Sequence, residues 1–302
     1  MNNSRGSVQR VSFPSVTMAI LIVFFHPRLF FRGLRCIAVI LTKFFLFQYK
    51  AALFSRKIPV SGVEHNLDSL IPFNPAFVTI YLDFIGFWIR IVGFLGMRRK
   101  KAGLGLAGDF INSITMLYLF AFKVYKKNLS TTARPACNKT FRFRIIHLFD
   151  PHLMCIPSLH VMIVIHAYTA FRHFARELGE EKALQSLTEK VYAGALAITE
   201  AILYVKQHSI NCVAASLYAM RRFNPVLFSA DDAETFVNGL FAGGAADIPP
   251  EYAPFYTGPQ VQTEDALRLR EQIMRLYRSF TEVDASDWTT PILDFLASLP
   301  AA

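Results

Sequence analysis

Charged residues and cysteine are both scarce in this 302-residue chain. Asp, Glu, Lys and Arg together make up 18% of the residues, whereas hydrophobic residues make up 53%. This composition excludes a disordered chain and disfavours an ordinary soluble globule. Four cysteines are too few for a disulfide scaffold. Cys137 and Cys155 could pair on an oxidising side of a membrane, or both could remain free thiols.

Acidic residues are rare in most of the chain and concentrated at its end. Residues 1–222 carry 28 Lys and Arg against 10 Asp and Glu, whereas residues 223–302 carry 4 Arg against 12 acids. The basic residues lie between apolar stretches, so membrane flanks explain them and no nucleic-acid partner is predicted. The chain is therefore divided into a basic, interfacial segment at 1–35, a transmembrane domain at 36–222 and an acidic, soluble tail at 223–302.

Six apolar stretches predict about six transmembrane helices, and hence an all-α, polytopic membrane bundle with a soluble C-terminal tail. A span of the hydrocarbon core needs roughly 20 helical residues. Polar interruptions in several stretches favour helices packed around a polar centre. The flanking clusters of Lys and Arg fall on one side, which is expected to be cytoplasmic together with the tail. The stretches lie at about 36–54, 72–96, 109–125, 157–173, 191–206 and 208–221.

A basic loop at 126–156 falls on the opposite, non-cytoplasmic side, where an anionic substrate is the simplest explanation for its charge. Lys127 offers a point charge, and Arg134 offers a planar fork that can hold two anion oxygens. Pro157 and Ser158 then open the fourth apolar stretch. The free N–H groups of a helix start and the Ser158 hydroxyl together suit an anion. These residues predict a phosphate-binding site on this side.

Two histidines are expected to reach the same site. His160 lies one turn inside the fourth stretch, and His208 follows Lys206 and Gln207 at the start of the sixth. A neutral His208 could attack phosphorus as a nucleophile, and a protonated His160 could supply a proton to the leaving oxygen. The spacing therefore predicts phosphoryl transfer at an outward-facing site.

These motifs together resemble those of the type 2 phosphatidic acid phosphatases. The similar segments are Lys-x6-Arg-Pro at 127–135, Pro-Ser-Leu-His at 157–160 and Val-Lys-Gln-His at 205–208. The sequence most resembles the branch that includes inositol phosphorylceramide synthase-like phosphotransferases. The resemblance covers about 70–222 and leaves both ends of the chain unexplained.

The resemblance implies roles for individual residues. His208 would form a phosphohistidine, His160 would be the general acid, and the substrate would be a lipid phosphate or phosphodiester. The family needs no metal, so neither a metal site nor another cofactor is expected. Residues that would contact the phosphate are Lys127, Arg134 and Ser158, with Lys206 supplying a cation that the third motif otherwise lacks.

One departure from the family pattern concerns the nucleophile. The family has an Asp four residues after the nucleophilic His, where this chain has Cys212. That carboxylate orients the His and stabilises its charged form, and its loss in an analogous triad costs about 10⁴ in rate. Asn211 could orient a ring nitrogen of His208, and Asp83 within the second stretch could reach it.

Several readings stay open at this stage. Hydrolysis and headgroup transfer differ only in the acceptor, and the sequence does not separate them. A binding or scaffolding protein that keeps the fold without turnover, and a transporter of anions or lipids, are the alternatives. His147, His152 and His166 are expected to be structural or interfacial, and the partner of the tail is not identified by its sequence.

Overall fold

The computed structural model describes residues 12–54, 58–98, 101–135, 141–144, 150–242 and 248–302. The chain is mostly helical, as the sequence predicts. Two short strands, β1 (Val60–Gly62) and β2 (Leu129–Thr131), pair in parallel, with Ser61 opposite Ser130. This small sheet joins the segment before the second apolar stretch to the basic loop. Cys137 and His147 lie outside the described residues.

The first helices form a hairpin that is packed against the bundle. Helix α1 (Val16–Phe25) begins at Ser15, whose hydroxyl accepts a hydrogen bond from the backbone N–H of Met18. Helix α2 (Pro27–Val39) begins with a proline, which suits the first turn because its missing N–H is not needed there. A π-helical stretch at Ile40–Phe45 leads on to α3 (Leu46–Phe54).

The central helices bury most of the apolar side chains. Helix α7 is at the centre, because it contacts α5, α6, α8 and α9, while α1 packs on α5 and α2 packs on α6. A close approach of α1 to α5 requires Gly93, where a Cβ would lie 2.4 Å from the Cβ of Ala19. The bounds are α4 (Val78–Leu82), α5 (Phe84–Met97), α6 (Lys101–Tyr125), α7 (Leu159–Glu177), α8 (Glu181–Tyr204) and α9 (Ile210–Phe223).

The tail is helical and packs along the bundle. It contains α10 (Ala230–Gly239), α11 (Thr263–Glu282) and α12 (Thr289–Ser298), and the last two confirm helices that apolar spacing predicts. Helix α11 packs on α9, and α12 contacts α6. The apolar side of α11 is buried through Ala266, Leu269, Ile273, Tyr277 and Phe280. The described part of the tail is therefore part of the same packed body as the bundle.

Two helices of the described chain are long and apolar enough to cross a membrane. They are Pro75–Met97 and Ala102–Tyr125, with mean hydropathies of 1.7 and 1.4. Helix α9 has 14 residues, a length of about 21 Å at 1.5 Å per residue, against about 30 Å of hydrocarbon. No residue in 157–173 or 191–206 is exposed, because other elements surround these helices. The structure thus gives weak evidence of membrane association and leaves six spans unsupported.

The end of the tail lies beside β1. The backbone N–H of Gly62 donates to the carbonyl of Pro300 at 2.9 Å, and that of Ala302 donates to the carbonyl of Val60 at 3.0 Å. The sequence predicts that the tail is cytoplasmic and that the loop at 126–156, whose strand β2 pairs with β1, is on the opposite side of the membrane. These hydrogen bonds conflict with that assignment, because the end of the tail and β1 must share one side.

Candidate functional site

Two histidines that are 48 positions apart in the sequence meet where α7 and α9 begin. Nε2 of His208 lies 3.2 Å from Nδ1 of His160 and 3.3 Å from the hydroxyl oxygen of Ser158. Ser158 is wholly buried, His208 is 7% exposed and His160 is half-buried. We call these three residues the His–His–Ser cluster. The structure brings together the three residues that the sequence placed at the centre of the site.

Helix starts position both halves of the cluster. Ser158 caps α7, and its hydroxyl accepts a hydrogen bond from the N–H of Val161. Its own backbone N–H donates to the hydroxyl of Ser216 on α9 at 2.7 Å. His208 precedes Ser209, which caps α9. Because Ser216 joins the two helices, it fixes the distance between the residues that begin them.

Aromatic rings hold His160 on its other sides. The ring centroid of Phe84 lies 4.2 Å from that of His160, and the centroid of Tyr81 lies 4.9 Å away. Both rings belong to the segment where α4 passes into α5. They restrict the imidazole to one orientation, with Nδ1 towards His208. A substrate must therefore approach the cluster past these rings or displace His160.

The second ring nitrogen of His208 is buried without a hydrogen-bond partner. This is the atom that the family's Asp would contact. Cys212 is buried, and its sulfur lies 3.4 Å from the backbone nitrogen of Ser209. The Nδ2 of Asn211 donates to the carbonyl of Val63 at 3.2 Å. The side chain of Asn211 therefore binds the backbone at Val63 rather than the ring of His208.

Asp83 is also engaged elsewhere. Its carboxylate accepts two hydrogen bonds from the guanidinium of Arg90, at 2.9 and 2.5 Å, and a third from the hydroxyl of Tyr252 at 2.5 Å. Tyr252 comes from the tail, so this ion pair connects the tail to the start of α5. Asp83 therefore has a structural role. Its carboxylate binds Arg90 and Tyr252 rather than His208, so the predicted orienting role is not supported by a contact.

A second polar group lies next to the cluster and was missed as a functional group by the sequence analysis. The ring centroid of His152 is 6.3 Å from that of His208, and its Nε2 is 2.7 Å from the hydroxyl oxygen of Thr132. Asp150 accepts a hydrogen bond from the backbone N–H of His152 at 2.9 Å. The Asp-Pro-His sequence at 150–152, in the same loop as Arg134, is the signal that could have identified it.

Arg134 is held by that group. Its NH2 atom lies 3.0 Å from both the carbonyl oxygen and the Oδ2 of Asp150. Burial raises the pKa of the Asp150 carboxyl, but the hydrogen bond and charge of His152 and the charge of Arg134 lower it by more. The pKa of Asp150 consequently lies below its usual value, which keeps a negative charge beside Arg134. The guanidinium Nε remains buried without a partner.

The two lysines predicted to bind phosphate make other contacts. Nζ of Lys127 lies 3.3 Å from Oδ2 of Asp287 and 3.2 Å from the hydroxyl oxygen of Thr289, both in the tail. Nζ of Lys206 donates to the backbone carbonyls of Asp68 and Ile71. Lys206 therefore fixes the turn before His208, and Lys127 fixes the tail.

Within the described ranges, no group of three or more His, Cys, Asp or Glu side chains could hold a metal ion. Comparisons of the chain with protein-family models, with curated proteins and with solved structures found no match. The resemblance to the type 2 phosphatidic acid phosphatases rests on the three motifs and on the convergence of their central residues.

Proposed function

We propose that the protein is a lipid phosphatase or a phospho-headgroup transferase of the type 2 phosphatidic acid phosphatase kind. The observation that carries the proposal is the 3.2 Å approach of His208 Nε2 to His160 Nδ1, with the Ser158 hydroxyl 3.3 Å from the same nitrogen. A nucleophile, an acid and a phosphate-binding donor at a helix start are the parts that phosphoryl transfer needs.

The proposed reaction has two steps. The substrate first separates the ring of His160 from Nε2 of His208, because the nucleophile and the leaving oxygen lie on opposite sides of phosphorus. Nε2 of His208 then attacks phosphorus, the bond from phosphorus to the leaving oxygen breaks, and a protonated His160 gives that oxygen a proton. The phosphohistidine is then attacked by water or by an alcohol, which passes its proton to His160 as the P–N bond breaks. Water as acceptor gives hydrolysis, and an alcohol gives headgroup transfer. Ser158 and the N–H groups at the start of α7 hold the phosphoryl oxygens.

A binding protein without turnover is the second candidate. The observation that favours it is the buried Nδ1 of His208, which has no hydrogen-bond partner while Cys212 occupies the position of the family's Asp. Arg134 and Lys127 are both paired with carboxylates, so phosphate would compete with Asp150 and Asp287. Such a site would bind a phosphate and hold it without transfer.

The experiment that tests the proposal uses a panel of radiolabelled lipid phosphates and phosphodiesters with the detergent-purified protein. Wild type is expected to release phosphate or form a headgroup-exchanged lipid, and to carry an acid-labile, base-stable label after rapid denaturation. His208→Ala should lose both. His173→Ala is the control, because His173 is a partly exposed histidine on α7 with Glu177 as its neighbour.

If the protein binds phosphate without turnover, the same experiment gives a different result. Vanadate or phosphate would then bind to wild type and not to Ser158→Ala, with neither product nor labelled His208 from any substrate. That outcome would overturn the catalytic proposal and keep the phosphate site. Absence of both binding and product would overturn both candidates. A lipid that crosses vesicle membranes unchanged would instead favour transport.

The membrane arrangement is also part of the proposal. Two helices, Pro75–Met97 and Ala102–Tyr125, have the length and hydropathy of spans, and the predicted multi-pass bundle with a non-cytoplasmic site would add four more. The contact of 300–302 with β1 requires the end of the tail and this end of the bundle to share one aqueous side. Protease protection of an epitope at 284–285 in sealed vesicles would determine which side that is.

A further inference from the structure

Large apolar side chains that remain exposed are concentrated in the first helices. Among the described residues, twelve of the twenty such side chains lie between Met18 and Phe54, whereas α7, α8 and α9 have none. We call these twelve the N-terminal apolar face. They are Met18, Ile20, Leu21, Phe24, Phe25, Phe31, Leu34, Ile37, Leu41, Leu46, Leu53 and Phe54.

These side chains are exposed although their helices pack against the rest of the molecule. Ala19 of α1 is completely buried, and it lies so close to α5 that no Cβ fits at Gly93. Leu29 and Cys36 of α2 are 1% and 2% exposed, and α2 packs along α6. The first helices thus bury one apolar side and expose another. A concentration of exposed apolar side chains of this kind marks an interaction site.

The charged residues in the first part of the chain are all basic, and one of them, Arg32, is paired with Asp109 of α6 at 2.9 Å. Residues 1–63 contain nine Lys and Arg and no Asp or Glu. In α2, Arg28, Arg32 and Arg35 follow a spacing of four and three residues and share one side of the helix, whereas Phe31 and Leu34 lie on another. A basic side next to an exposed apolar side is the pattern of a helix that lies in a membrane interface.

The side of the bundle that α11 covers has the reverse character. Helix α11 covers α9, and its outer side carries exposed charged residues over its whole length, namely Glu264, Arg268, Glu271, Arg275, Arg278 and Glu282. A helix of 20 residues is about 30 Å long, which equals the thickness of the hydrocarbon core. Charged side chains across that distance cannot face lipid without a large free-energy cost, so this side needs water.

We propose that the protein binds an anionic lipid surface through the N-terminal apolar face, and that the α11 side of the bundle faces water. Hydrocarbon then contacts the molecule from one side, and the basic side of α2 contacts the lipid headgroups. This inference stands on exposure and charge and is independent of the proposed phosphoryl transfer. It is an alternative to the multi-pass arrangement predicted from the sequence, in which lipid would surround the bundle, and the tests below separate the two arrangements.

The first test compares two leucines of matched exposure. Leu34 on α2 is 53% exposed, and Leu267 on α11 is 55% exposed. Each is changed to Cys in a Cys137→Ser background and spin-labelled, and the protein is reconstituted with phosphatidylcholine and phosphatidylglycerol. The label at 34 is expected to be relaxed mainly by oxygen, which concentrates in hydrocarbon, and the label at 267 mainly by a water-soluble nickel chelate.

A second readout measures the strength of binding. In vesicle flotation, Leu34→Ser should partition about tenfold more weakly than wild type, whereas Leu267→Ser should partition like wild type. Arg35→Gln should weaken binding about fivefold to vesicles with phosphatidylglycerol and leave binding to pure phosphatidylcholine unchanged. Arg275→Gln on α11 is the matched charge control and should have no effect.

Three outcomes would overturn the proposal. Oxygen-dominated relaxation at both positions would mean that lipid surrounds the bundle, as six spans require. Nickel-dominated relaxation at both positions would mean that the N-terminal apolar face does not enter a membrane. Protection of position 34 from both agents in a protein that is dimeric by light scattering would mean that a second copy covers the face. None of these readouts depends on activity, so they separate this inference from the proposed function.

Discussion

Lys127 Nζ lies 3.3 Å from Asp287 Oδ2, and this ion pair joins the end of α6 to the tail 160 residues later. Both side chains are about half exposed, so the pair contributes little to stability. The pair instead affects the predicted phosphate contact of Lys127. The lysine that the sequence assigned to phosphate binding already has a carboxylate neighbour, and an incoming phosphate must replace it.

Removing that carboxylate should strengthen phosphate binding. Asp287→Asn leaves a neutral group beside Lys127, so we expect vanadate or phosphate to bind about two- to threefold more tightly, in line with the small energies of exposed pairs. Isothermal titration or protection from heat inactivation would measure this. Asp284→Asn is the control, since Asp284 is exposed and the ion pair of Lys127 is made with Asp287. Unchanged affinity in Asp287→Asn would place Lys127 outside the phosphate site.

Restoring the family's carboxylate should activate the site. Cys212→Asp introduces an acceptor four residues after His208, whose Nδ1 is buried without a partner. We expect turnover to rise by about tenfold or more, a fraction of the effect such a carboxylate has in an analogous triad. Cys212→Asn supplies a similar shape without charge and should raise turnover less. Equal rates in the three proteins would show that orientation of His208 is not limiting.

Loss of Ser216 should weaken the junction between α7 and α9. Its hydroxyl accepts a hydrogen bond from the buried backbone N–H of Ser158 at 2.7 Å, and Ser216→Ala leaves that donor unsatisfied. We expect a loss of about 1–3 kcal/mol in the free energy of unfolding, measured by denaturant titration in detergent. Ser279→Ala removes an exposed hydroxyl on α11 and should change stability by less than about 0.5 kcal/mol.

Asp150 should make stability depend on pH in acid. Its pKa is lower in the folded protein than in the unfolded chain, so its contribution is fully present above the unfolded pKa, about 4, and is lost as the pH falls through the folded pKa. The difference in Tm between wild type and Asp150→Asn should be constant from pH 7 to about 5 and shrink below that. A difference in Tm that grows as the pH falls would mean that folding raises the pKa of Asp150 instead of lowering it.

The sequence was sufficient to predict which residues meet at the centre of the site. Ser158, His160 and His208 each stand at a helix start, and helix starts on one end of a bundle converge, so their meeting could be predicted. The contacts of Lys127 could not, because a flexible side chain takes whichever carboxylate the fold brings near it. Asp83 was similarly fixed by Tyr252, which lies 169 residues away.

The pattern of apolar residues could not predict which element covers α9. A short, mostly apolar stretch has the same appearance in a buried core helix as in part of a membrane span. The spacing in α11 predicted an apolar side correctly, but periodicity does not identify the surface that covers it. Only the contact between α9 and α11 reveals that the last predicted span is enclosed by the tail.

The hydrogen bond from the hydroxyl of Ser61 to the carbonyl of Leu296 crosses 235 positions of the chain. During synthesis, β1 emerges early, and 235 further residues are added before this neighbour exists. Contacts of such sequence separation form late in folding. Until then β1 exposes unpaired backbone groups at an open edge, which is a place where growing chains can associate with one another. A ribosome that pauses before residue 296 would therefore lengthen the period in which nascent chains are prone to aggregate.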